Sequence, residues 1–120
     1  MNTQIMAQRG YSAPAQNQIR TPRATEYAAF AQITARMTRA QSGGPDGFPE
    51  LAAALHENRK LWRLLALDVA DTRNALPNDL RARLFFLYEF TDQHSSKVLE
   101  RRADAAPLIE INTAIMRGLS

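Results

Sequence analysis

Phe48–Ala70 reads FPELAAALHENRKLWRLLALDVA, and the spacing of its apolar residues decides the fold. At about 100° per residue, Leu51, Leu55, Trp62, Leu65 and Val69 share one face of a helix, with Leu61 and Leu64 on its flank and Glu57, Lys60 and Arg63 outside it. Asn58 falls inside this apolar stripe. A buried amide without partners costs about 1–3 kcal/mol, so the residue must anchor something. The anomaly recurs near the C-terminus, where Asn112 stands among Leu108, Ile111, Ile115 and Leu119. The expectation is a structural polar core in which Asn58 ties its helix to the 71–77 connector, or the two amides meet.

Outward from this helix, breaks mark further elements. Ser42-Gly43-Gly44-Pro45-Asp46-Gly47 reads as a flexible connector. It lacks the spacing and the Lys-Ser/Thr ending of a phosphate-cradling loop. Before it, Thr21 and Pro22 open a helix over about 22–41, with Tyr27, Phe30, Ile33, Thr34 and Met37 inward and Arg36 and Arg39 outward. Residues 1–20 show no sustained period and contain Gly10 and Pro14, so they read as a flexible N-terminal arm with Tyr11 as its one large anchor. Pro77 restricts the residue before it, making Asp71–Leu76 a connector and starting a third helix that runs to about Arg102. A hinge at Ala103–Ala106 then leads into a last helix from Pro107 to a left-handed stop near Gly118.

The expected fold is therefore all-α: a compact bundle of about four helices over residues 21–120, joined by short connections. On the third helix Leu80, Leu84, Phe85, Phe86, Leu87, Tyr88 and Phe90 sweep an apolar arc of about 260°, where a surface helix needs about 100°. Either that helix is central and wrapped by the others, or part of its aromatic surface meets another protein.

Charge is modest and uneven. Residues 1–41 carry five arginines against Glu26, and the remainder is close to neutral, within a total of +3. Nucleic-acid binding remains an alternative without a clustered cationic face to carry it, because Arg59, Lys60 and Arg63 read as spread around their helix. Arg59 borders Trp62, so it is expected to stack on the indole or to hold a carboxylate. No run approaches the roughly 18 apolar residues of a membrane span, and no secretory leader pattern opens the chain, so a cytoplasmic protein without membrane insertion is expected. The absence of cysteine excludes disulfides, thiol catalysis and thiolate metal sites. His56-Glu57 lacks the second histidine of a zinc helix, Lys60 standing in its place, and His94 has no ligand pattern around it. Asp68 and Asp71 read as helix-terminus solvation rather than as an acid–base pair. No metal, cofactor or catalytic site is expected.

Ala54-Leu55-His56-Glu57-Asn58-Arg59-Lys60-Leu61-Trp62, Asn74-Ala75-Leu76-Pro77 with Leu80-Arg81, and Leu108-Ile109-Glu110-Ile111-Asn112 with Ile115 and Gly118-Leu119 resemble the FlaF family of flagellar biosynthesis regulators. Pro22-Arg23 with Glu26 fits the same pattern, so the resemblance spans about residues 11–119. Thr113 stands where an arginine commonly follows the final asparagine, and Met116 where a small residue is usual. The resemblance implies a small helical cytoplasmic protein of flagellated alphaproteobacteria, not an enzyme. Such a protein binds flagellin as an export chaperone and promotes its synthesis in opposition to FlbT. A post-transcriptional regulator acting on flagellin message is the alternative. Expected partner-binding residues are Arg59, Trp62, Arg81, Phe85, Phe86 and Tyr88, around a groove between the second and third helices.

Overall fold

The structure, a computed structural model, describes the backbone of residues 22–119 and the side chains of 26–118. The expected arm of residues 1–20, with Tyr11, and the capping role of Thr21 lie outside them. Four helices, α1 (Pro22–Ser42), α2 (Phe48–Ala70), α3 (Asn78–Leu99) and α4 (Ala106–Leu119), make an all-α bundle, with no strand among the described residues. Among the described residues no helix is long and apolar enough to cross a membrane.

The α1–α2 connection is firmer than its composition suggests. Gly44–Gly47 winds into a 3-10 turn instead of forming the expected flexible connector. Gly44 takes φ 64°, open to glycine without a Cβ penalty. A Cβ on Gly47 would collide with the Ala40 carbonyl oxygen, so the turn folds against the end of α1 only with glycine there.

At the far end of α3 the helix stops at Leu99, short of Arg102. Arg101 adopts φ 62°, and its N–H bonds Val98 O at 2.9 Å while the Arg102 N–H reaches back to Lys97 O at 2.9 Å. This is a Schellman stop built on arginine where glycine is usual. The guanidinium of Arg101 lies 4.2 Å from the centroid of the Phe48 ring, a cation–π contact that offsets the backbone cost. In α4 the helix continues through Gly118, which is not left-handed, to Leu119.

Packing places α2 beside both α1 and α3, and α1 beside α4, while α3 meets α4 more sparingly. The described residues extend 45 × 35 × 21 Å, and the short dimension holds about two helix diameters of 10–12 Å. α3 packs against α2 and the edge of α4 and does not meet α1, so it is not wrapped by the other three. Ile33, Met37 and Ala40 of α1, Leu51, Ala54 and Leu55 of α2, and Leu108 of α4 form the aliphatic core together with Ala105; α3 contributes Val98 alone. The central-helix alternative for α3 is thereby overturned. Its buried positions are Thr91, Ser95 and Val98, small side chains against α2, and its aromatic rings lie outside that line. Tyr27, expected inward, is instead 38% exposed, a turn before buried Phe30.

Candidate functional site

Asn58 and Asn112 are both completely buried, and they meet. Asn112 Nδ2 donates to Asn58 Oδ1 at 2.8 Å and to Thr34 Oγ1 at 3.1 Å, while the Trp62 indole Nε1–H donates to Asn112 Oδ1 at 2.9 Å. An indole can only donate, so it fixes which end of the Asn112 amide is oxygen. Phe30 packs edge-on against Trp62, with centroids 5.7 Å apart. One side chain from α4 thus joins α1 and α2 at the junction of three helices. The linkage is needed there because no Cα of α2 comes within 8 Å of one in α4. Trp62, expected at a partner surface, is fully buried and belongs to this junction. Of the two expectations for Asn58, the meeting of amides is the one observed; Asn74, not Asn58, ties the connector to α2, through Asp68. Asn58 Nδ2 has no hydrogen-bond partner among the described residues.

Arg81, the second residue assigned to a partner, is occupied within the fold. Its Nε donates to Val69 O at 2.7 Å and its Nη2 to Asp71 O at 2.8 Å, satisfying carbonyls that the end of α2 leaves open. Asp71 also receives the Arg73 backbone N–H and side chain. That side-chain hydrogen bond, with the backbone bond second, holds the Asp71 carboxyl below its ordinary value. Asp68 and Asp71 are thus helix-end groups.

Arg59 holds a carboxylate rather than stacking on Trp62. Its Nη2 donates to Asp92 O at 2.6 Å and Ser96 Oγ at 2.5 Å, and its Nε lies 3.3 Å from Asp92 Oδ1 without an aligned hydrogen bond. Around it His56, Lys60, Arg63 and Asp92 line a depression of about 360 Å³ between α2 and α3. The expectation of an aromatic groove between these helices, and of cations dispersed around α2, is corrected here. Positions 56, 59, 60 and 63 recur at i, i+3, i+4 and i+7, which is one face of a helix, whereas neighbours 85 and 86 diverge by about 100°.

The ring-bearing surface of α3 is nevertheless exposed. Phe86 is 65% accessible, with Phe85 and Phe90 between a third and two-fifths. Phe85 packs edge-on against half-buried Tyr88 at 5.7 Å, and Phe90 stacks on His94 at 5.4 Å. His94 Nε2 lies 2.8 Å from Asp104 O, a carbonyl that can only accept, so this nitrogen carries the proton. Helical spacing puts Phe85 and Tyr88 on the Arg59 side of α3, and Phe86 and Phe90 on the other. Among the described residues no cluster of His, Asp and Glu could hold a metal ion. Thr113, where a charged residue was the usual occupant, turns its hydroxyl back to Ile109 O at 2.7 Å.

Sequence reading missed the polar partners of the junction, Thr34 and the indole N–H, although a buried tryptophan needs an acceptor for its N–H and so signals one. It also missed Gln41, whose side-chain oxygen accepts from the Ala105 backbone N–H and pins the start of α4.

A family model described as flagellar protein FlaF matches residues 7–119. No curated protein and no solved structure matches the chain.

Proposed function

The chain belongs to the FlaF family of flagellar proteins, and from that premise we propose that it binds flagellin and promotes its synthesis and export, acting as a chaperone. The observation that carries this reading is the uncovered aromatic surface of α3. Phe85, Phe86 and Phe90 remain exposed in a bundle that buries threonine and serine on the same helix. Three large rings on one surface helix go beyond the scattered apolar residues normal to a protein surface, and favour an interaction site. An amphipathic helix laid along Phe86 and Phe90, one turn apart on the same side of α3, would find two successive anchors there, in the manner of helix-in-groove recognition.

Flagellin in its unassembled state is the occupant this reading assigns, and shielding its self-associating segments would keep it fit for export. A functional link to FlbT would follow from sequestration, since a protein that holds flagellin can also report its level. Action on flagellin message is less well supported. Arg36 and Arg39 border a depression with Ala40, Gly47 and Glu50, which offers no aromatic platform for bases.

The test is calorimetric titration of purified flagellin monomer into the protein and into Phe86→Gln and Phe90→Gln variants. Loss of binding with an unchanged melting temperature supports the reading. Undiminished binding by the variants would remove α3 as the docking surface, and tighter, steeply salt-dependent binding of flagellin message would favour the alternative.

A further inference from the structure

We propose that the outer face of α2, running through His56, Lys60, Arg63, Leu64 and Leu67, docks an acidic amphipathic helix of a protein partner. The inference concerns a different helix from the α3 surface and does not rest on flagellin being the ligand.

These five side chains recur at i, i+4, i+7, i+8 and i+11, one line along the solvent side of α2 about 16 Å long at 1.5 Å per residue. Its first half is cationic and its second apolar. Leu64 and Leu67 are 67% and 65% exposed, as open as Phe86. Arg63 and His56 make no ion pair or hydrogen bond among the described residues. Lys60 has only Glu57, at 3.9 Å, and Asp92 is engaged by Arg59.

Arg59 strengthens the site without being spent on it. Pinned by Asp92 O and Ser96 Oγ, its guanidinium forms a fixed positive wall of the depression beneath Lys60 and Arg63. Three cations against one carboxylate line that depression, so it attracts anionic side chains. The adjoining leucines favour a protein over a polyphosphate. They would gain nothing from a phosphate backbone, and the face has no ring on which a base could stack. A partner helix with acidic residues on successive turns followed by two apolar ones matches the order of charge and grease along α2.

The probe is a synthetic helical peptide with glutamates on successive turns followed by two leucines, titrated into the isotopically labelled full chain and followed by amide chemical shifts. Shifts are expected at Lys60, Arg63, Leu64 and Leu67. The Lys60→Glu/Arg63→Glu double variant, altered only at exposed positions, should keep its circular dichroism and bind about tenfold more weakly. A peptide with lysine in place of glutamate should bind that variant in preference to the wild type. Equal binding of a glutamine peptide, absence of shifts on this face, or tighter binding of single-stranded RNA or phosphatidylglycerol vesicles would each overturn the proposal.

Discussion

Replacing Asn112 by leucine should destabilise the protein far more than the same replacement at Asn58, although both amides are buried to the same degree. Asn112→Leu strands the Trp62 indole N–H, the Asn58 carbonyl oxygen and the Thr34 hydroxyl together. At about 1–3 kcal/mol for each orphaned buried group, the loss is roughly 3–9 kcal/mol. Asn58→Leu strands only one of the two Asn112 amide protons, because the other still reaches Thr34 Oγ1, and it removes an Nδ2 that already lacked a partner. The expected loss there is about 0–2 kcal/mol. The bulk of the new branch burdens both variants, so the comparison isolates the bonds. Adding Asn58→Leu to Asn112→Leu should then restore about 1–3 kcal/mol, since it removes one of the three stranded groups. Urea denaturation followed by far-UV circular dichroism measures all four proteins, and each kcal/mol should also move Tm by about 4–8 °C. Equal losses in the two single variants, or losses that simply add in the double, would refute the account of Asn112 as the hub.

Three further outcomes follow from the helix ends. Arg81→Met should cost about 1–3 kcal/mol by exposing the Val69 and Asp71 carbonyls, with faster amide exchange confined to the end of α2 and the connector after it. Gly47→Ala should destabilise by roughly 1–3 kcal/mol in thermal melts because the new methyl meets the Ala40 carbonyl, while Gly44→Ala is strained only by its positive φ. Asp71 titrates below the ordinary carboxylate value, so its contribution is present above that value and is lost as pH falls through the depressed one; Asp71→Asn should flatten that acid limb, read by carboxyl NMR titration and by melts against pH.

Helix number and limits were legible because proline and glycine punctuate the chain and a 3.6-residue period fills the intervals. Asn58 and Asn112 announced themselves as polar breaks in apolar stripes, and the structure shows why both are tolerated. The ends were less legible where tertiary contact overrode local preference. Arg101 takes a glycine's conformation because Phe48, more than fifty positions earlier, supplies a ring for its guanidinium. The place of α3 was legible only as two alternatives. Its many aromatics left a central helix or an outward ring-bearing surface open, and what the helix buries is the line of the small side chains Thr91, Ser95 and Val98. Arg59 was legible as the holder of a carboxylate, but nothing in the local sequence shows that backbone carbonyls from other segments also claim it and Arg81.

The junction at Asn112 also equips the chain with its own optical gauge. Trp62 is the sole tryptophan, and its indole N–H is bonded to α4, so emission colour and quencher access follow the seating of the last helix without any added label. An event that pried α4 loose, whether a ligand, a truncation or a rise in temperature, would be seen as a shift to longer wavelength before the remaining helices had melted.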